Sequence, residues 1–313
     1  MAKISKQKTV FLLLGSKIAG ISDLPGLQQW LAHMPELSIL AKVEPVVIFG
    51  KDSASTTPEV WSSLSKVIAD RHASDAGFVV LHAPDTLLYT SAAVAFCLQT
   101  LSVPVIFSGS HSQADAMSQA GLKSNIINAV QAATFPFGEV TIMFGNRLVR
   151  AVQAYPEPGE TLNAFNAPRS GVLGKIDFSI RLHDKLLRSS AGKPKPCAGF
   201  EKEIAIVYLQ PLVTTKQLQQ LAVGKKALLL NAQDWSQLPQ SVENFIHAAP
   251  EVPVVIWSQQ MKMGSVLPKN VVLVQAMSWP TTQIKLMWAL PQTRTIRQLR
   301  DVMERDVLGE IIS

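Results

Sequence analysis

Apolar residues along the chain fall into short continuous runs, separated by longer stretches where they recur at helical spacing. Residues 10–14, 43–49, 77–82, 104–108 and 140–144 form such runs. Runs without alternation predict strands covered by helices on both faces of a parallel sheet. Between them, residues 24–33, 58–71, 91–101 and 124–133 predict helices. The second of these opens on Pro58 and repeats Val60, Leu64, Val67 and Ile68 on one face. Residues 155–175 are turn-rich. A second alternation then predicts strands over 204–209, 227–231, 252–258 and 271–275, with helices over 215–222 and 239–247 and a helix-rich end from Thr282. The expected fold class is α/β: a doubly wound, mainly parallel N-terminal domain over residues 1–178, a linker over 179–202, and a smaller C-terminal α/β domain over 203–313.

A length of 313 residues suits two domains. With 47% hydrophobic and 17% charged residues, the chain can bury large cores, and disorder is excluded. No apolar run approaches the roughly 18–20 residues that span a bilayer. The basic N-terminus precedes a run too short for a signal peptide, so a buried first strand and a cytoplasmic protein are expected. The net charge of +6 is concentrated in Arg181, Lys185, Arg188, Lys193, Lys195 and Lys202, which reads as a solvated linker rather than a nucleic-acid surface. Two cysteines, Cys97 and Cys197, provide neither a disulfide framework nor a zinc site and favour a reducing compartment. The six histidines are scattered, so no metal is expected. Gly15-x-x-x-x-Gly20 has neither dinucleotide nor Walker spacing, so no nucleotide cofactor is expected either.

Ligands of such sheets sit at the carboxyl ends of the strands. Those ends carry Gly15-Ser16-Lys17, Gly50-Lys51-Asp52, His82-Ala83-Pro84-Asp85-Thr86 and Ser108-Gly109-Ser110-His111. Ser16 with Lys17, and Ser110 with His111, are candidate nucleophilic pairs, although adjacent residues in an extended turn usually point apart. Asp85 could bind an amine and His82 could act as a base; alternatively, Asp85 and Thr86 cap the following helix.

Five segments then coincide in order. FLLLGSKIAG from Phe11 resembles LATGGTIAG, and FVVLHAPDTL from Phe78 resembles FVVTHGTDTM. PVIFSGSH from Pro104 resembles PVIVTGSQ, AGLKSNIINAV from Ala120 resembles DGxxNLxNAV, and GVLGKI from Gly171 resembles GPLGYI. Together they are similar to the bacterial asparaginase/glutaminase family over residues 8–178, and more loosely over 203–310. The resemblance implies a metal-free amidohydrolase with a nucleophilic threonine in the first turn. It also implies a second threonine working with a lysine and an adjacent aspartate. Carried over, the first threonine position holds Lys17, and the second holds Pro84 next to Ala83. The lysine position falls near Ala151, beside Arg150, and the substrate-binding serine falls at Lys51. The flexible loop after the first motif is shortened to residues 21–26 without its tyrosine. The C-terminal loop that reaches a neighbouring protomer reads Asp234-Trp-Ser-Gln. Only Asp85, the family's ligand for the substrate amine, matches.

The expectation is an asparaginase-like protein that has lost the two-threonine mechanism and binds a small amino-acid-like or carboxylate ligand through Lys17, Lys51, Asp85 and Ser110. Alternatives are an amidohydrolase using displaced residues (Ser16, Lys17, Ser110 or His111) and a non-catalytic interaction protein with a filled cleft. Two lysines against one aspartate would make the cleft cationic. Lys17 could equally swing to solvent or pair with Asp85. The resemblance further implies a homodimer or homotetramer.

Overall fold

The computed structural model describes residues 7–73, 75–110, 116–158, 163–176, 179–188, 192–195, 197, 199–232, 234–258, 260 and 267–312, with the side chains of 116–120 left aside. It divides into two compact units, Met1–Cys197 and Ala198–Ser313.

The first unit runs β1 (Thr9–Leu14), α1 (Leu24–Ala32), α2 (Glu36–Leu40), β2 (Lys42–Val47), α3 (Pro58–Asp70), β3 (Ala76–Leu81), α4 (Pro84–Leu98), β4 (Val105–Ser108), α5 (Ala116–Ala132), β5 (Val140–Phe144) and β6 (Arg147–Arg150). The short pair β7 (Tyr155–Pro156) and β8 (Phe165–Asn166) follows, then β9 (Val172–Ile176) and β10 (Ile180–Leu182). The eight-stranded sheet has the order β10-β9-β6-β5-β4-β3-β1-β2. β1 to β5 are mutually parallel, while β6, β9 and β10 add antiparallel. Val10, Leu12, Leu14, Val79, Leu81 and Ile106 face α1, α2 and α5 in one core. α3 and α4 pack on each other, and α4 also packs on β5. The edge strand β2 carries a Lys42–Glu44 ion pair and Pro45, which has no N–H to donate. Both features discourage edge-to-edge pairing.

Strand positions agree with the apolar runs to within about two residues, but α4 does not follow its predicted span of 91–101. It starts at Pro84, because Ala83 is extended at the N-cap and Pro84 occupies the first turn. The helix is buried almost all round, so no polar face marks where it begins. Residues 155–175, expected as turns, hold three short strands, and residues 180–182 of the expected linker form the edge strand β10.

The cysteines are joined, Cys97 to Cys197, and no free cysteine remains. The cysteine count therefore no longer favours a reducing compartment.

The second unit contains β11 (Ile204–Tyr208), α6 (Thr215–Ala222), β12 (Ala227–Ala232), α7 (Gln240–Ala248), β13 (Val254–Ser258), β14 (Val271–Val274), α8 (Trp279–Ala289) and α9 (Ile296–Glu304). Its four strands are parallel in sequential order. Leu218 of α6 and Val242, Phe245 and Ile246 of α7 pack on Leu228, Leu230, Val254 and Ile256. Lys285 of α8 is fully buried; its Nζ reaches Glu310 Oε1 at 2.5 Å and donates to the carbonyls of Met303 and Arg305. Glu310 in turn accepts the N–H groups of Val307 and Leu308. Burial pushes the Lys285 pKa down, against the pull of Glu310. Among the described residues no helix is long and apolar enough to cross a membrane.

Candidate active site at the strand ends

The parallel strands follow the order 2-1-3-4-5, so the connections leave β1 in opposite directions. The crevice at such a switch point is where ligands bind. The strand ends there are zipped together by hydrogen bonds. Gly15 N–H donates to Leu81 O (2.9 Å), Ala83 N–H to Ser16 Oγ (2.9 Å), His82 N–H to Ser108 O (2.9 Å) and Lys17 N–H to Lys51 O (2.8 Å). Ser16, Lys17, Lys51, Asp85 and Ser110 thus share one edge of the sheet. His111 lies outside the described residues.

Two glycines allow this closeness. A Cβ on Gly109 would stand 2.2 Å from His82 O, and one on Gly50 would stand 1.8 Å from Ser22 O. The loop after β1 turns at once: Ile18 and Ile21 exchange both backbone hydrogen bonds across Ala19 (φ 48°) and Gly20 (φ 81°). Two consecutive positive φ values in a two-residue loop make this a type I′ turn.

The candidate pairs separate. Ser16 is fully buried and its oxygen accepts the Ala83 N–H, tying β1 to β3. Lys17 is half exposed, and its Nζ lies 3.7 Å from Asp52 Oδ1. Among the described residues no hydrogen bond joins Ser16 to the Lys17 ammonium. Lys17 also does not pair with Asp85. Asp52 is the partner that counting charges by motif missed. Lys17 and Lys51 against Asp52 and Asp85 give an edge of zero formal charge, not the cationic cleft expected.

Asp85 sits in the first turn of α4 but makes no side-chain cap to that helix. Instead it accepts the hydroxyl hydrogen of buried Ser53 at 2.5 Å, and Thr86 Oγ1 donates to Ser53 O at 3.2 Å. The cap reading of Asp85 and Thr86 gives way to a clamp on the turn after β2. That turn is a short 3-10 segment, Ser53–Ser55. Lys51 is exposed and offers Lys17 only its carbonyl. The signal for Ser53 was its place in Asp52-Ser-Ala-Ser, a polar turn directly after a strand.

His82 is fully buried. Its Nδ1 contacts Ala83 O at 2.8 Å, and since a carbonyl only accepts, Nδ1 carries the proton. Nε2 has no partner among the described residues. Burial lowers its pKa to about 4, against the weaker upward pull of the Ala83 hydrogen bond and Asp85. It is neutral near pH 7 and closed off from solvent, which ill suits a general base.

Pro84, at the second hydroxyl position, opens α4. Ala151 is buried, and adjacent Arg150 is committed elsewhere. Its guanidinium binds both oxygens of Glu139 (2.7 and 3.3 Å) and the carbonyls of Ser170 and Leu186. Buried Asn125 spans Gly109 O and Gly145 N–H, fixing the loop before Ser110 to the β5–β6 turn. Ser110 itself is buried. In the second unit, Asp234 accepts the N–H and hydroxyl of Ser236, so that loop closes on itself over buried Trp235. Among the described residues no cluster of ligands could hold a metal ion.

Known proteins place this arrangement. The chain is 27% identical over 309 residues to L-asparaginase 1 of Escherichia coli K12, covering 91% of this chain and 90% of that protein. It is 25% identical over 290 residues to the L-asparaginase of Thermococcus kodakarensis, 87% of each chain. It is 26% identical over 305 residues to a glutamyl-tRNA(Gln) amidotransferase component of the same organism, covering 89% of this chain and 68% of that one. The crystal structure of L-asparaginase I from Vibrio cholerae superimposes with a TM-score of 0.84 at 24% identity, over 98% of this chain and 100% of that one, which shows the shared fold. The family model described as Asparaginase, N-terminal matches residues 16–188, more than half of the chain. On that match, carried by the strand-end turns and the sheet that aligns them, the chain belongs to the asparaginase family.

Proposed function

We propose that this protein no longer runs the family's two-threonine amide hydrolysis and acts by binding a small amino-acid-like or carboxylate ligand at the strand-end crevice. The observation that carries the reading is the Ser53–Asp85 pair. The resemblance gave the amine to Asp85 and a further substrate contact to a serine just after the second strand. Ser53, two residues beyond the expected Lys51, supplies that hydroxyl. The reacting groups do not persist in the same way. Lys17 stands at the first hydroxyl position engaged with Asp52, and Pro84 supports no nucleophile at the second. Arg150, adjacent to the lysine position, is bound to Glu139. Losing members of such a catalytic unit removes several powers of ten in rate.

The test is coupled ammonia release from L-asparagine and L-glutamine, with thermal-shift titration of aspartate, asparagine, succinate and citrate. The expected outcome is background ammonia and a saturable rise in Tm that Asp85→Ala abolishes. Saturable ammonia release that vanishes in Ser16→Ala would establish instead the amidohydrolase reading, which the names of the relatives favour. A homo-oligomer is part of the same proposal, to be checked by size-exclusion chromatography with light scattering.

A further inference from the structure

The chain leaves the first unit at a well-pinned point. Arg188 N–H donates to Glu139 Oε1 at 2.5 Å, and Arg188 O accepts Gly138 N–H at 2.8 Å. The Arg150 guanidinium holds Leu186 O at 2.6 Å. The second unit takes hold at Glu201, whose N–H donates to Met287 O at 2.8 Å. Residues 189–200 lie between these pins. Within them, Cys197 is bonded to Cys97 in the last turn of α4, across a sequence separation of 100.

We propose that Cys97–Cys197 is a reversible thiol–disulfide site that decides whether the chain beyond Arg188 keeps a covalent anchor on the first unit. Oxidised, Cys197 is tied to α4; reduced, the last hydrogen-bonded pin is at Arg188.

Cys97 is buried and Cys197 is partly exposed, so exchange starts at Cys197. A thiolate of an external dithiol attacks the Cys197 sulfur, and Cys97 leaves as thiolate and takes a proton. The second thiol of the reductant resolves the mixed disulfide, releasing Cys197 as a thiol. The dithiol ends as a disulfide, having supplied the two electrons and two protons. Reoxidation by a disulfide reagent reverses each step. The bonded segment also lies along the first unit. Pro194 is buried, and Lys193 acts on His72, adding to the desolvation that lowers the pKa of that histidine. Pro194 packing is the rival means of holding the segment, and the test separates the two.

The experiment is limited subtilisin digestion of the full chain, pre-equilibrated with oxidised glutathione or with dithiothreitol. Mass spectrometry maps the cuts and the Cys97–Cys197 cross-linked peptide. The expected result is cleavage within residues 189–200 at least ten-fold faster in the reduced protein. Cys197→Ser should be cut at that fast rate in both conditions, its circular dichroism unchanged. This variant is preferred to Cys97→Ser, which alters a buried helix position. Equal cleavage rates in the two states of the wild type would overturn the proposal and assign the hold to Pro194. Absence of the cross-linked peptide after oxidation would overturn it directly.

Discussion

Ala19 is the only non-glycine residue in the left-handed φ region among the described residues, and it sits in the two-residue turn after β1. A left-handed alanine costs about 1–2 kcal/mol, and type I′ turns prefer asparagine or glycine there. Ala19→Asn should therefore raise the urea midpoint, by about 1 kcal/mol of stability; an unchanged or lower midpoint would show that the turn is relaxed. His82 has the opposite sign of interest. Its native pKa of about 4 lies below the unfolded value near 6.5. Between those values the unfolded chain binds a proton that the native state does not. Its contribution is thus intact above pH 6.5 and falls as pH drops toward 4, on the order of 3 kcal/mol in total. Wild type should lose stability across that window more steeply than His82→Asn, measured by denaturant titration at several pH values; parallel curves would refute this. At this scale the sequence revealed identities but not partners. Lys17 and Pro84 are visible as missing hydroxyls, yet nothing local says that Lys17 meets Asp52. Nor does anything local say that Asp85 takes its hydroxyl hydrogen bond from Ser53, in the 3-10 turn after β2.

Elements were legible in proportion to how one-sided their burial signal was. β3, β4 and β5 are buried throughout and β1 nearly so, and they appear as largely apolar runs, whereas the edge strand β2 is only partly buried and carries Lys42 and Glu44. α4 was misjudged at its start because burial nearly all round erased its stripe, and Pro84 was weighed as a lost hydroxyl rather than as a first-turn residue. β6, β9 and β10 are three to five residues long and add antiparallel, too short for periodicity to mark. The clamp between β5 and β6 was equally hidden. Glu139 and Arg150 flank that hairpin, and their side chains are 5% and 8% exposed. Removing one partner of a buried pair costs about 3–5 kcal/mol, whereas replacing both with apolar groups costs far less. Glu139→Ala should lose that much in chemical denaturation, and Glu139→Leu with Arg150→Met should recover most of it. If the double variant is the less stable, the carbonyls of Ser170 and Leu186 depend on Arg150 more than the carboxylate does.

Across the whole molecule, each of the two compact units, Met1–Cys197 and Ala198–Ser313, carries one of two successive strand–helix alternations, while the disulfide and the edge strand β10 within the expected linker leave no such trace. Pairing of distant residues leaves no periodic trace. The two units differ in how late their last essential contact falls. The sheet of the first unit is complete at Leu182. The second unit waits for Glu310, since without it Lys285 is a fully buried ammonium lacking its carboxylate. A chain ended at Arg305 should keep a protease-resistant first unit and lose the second; a resistant second unit would show that the carbonyls of Met303 and Arg305 suffice. The Lys285–Glu310 contact also orders events in time. At ribosomal speeds of about 5–20 residues per second, the first unit is ready to fold roughly 10 s before Glu310 has even been synthesised. The second unit therefore matures only once Glu310 has been made, when the first has already had time to fold, and translational pausing upstream of Glu310 leaves it as the part exposed to chaperones.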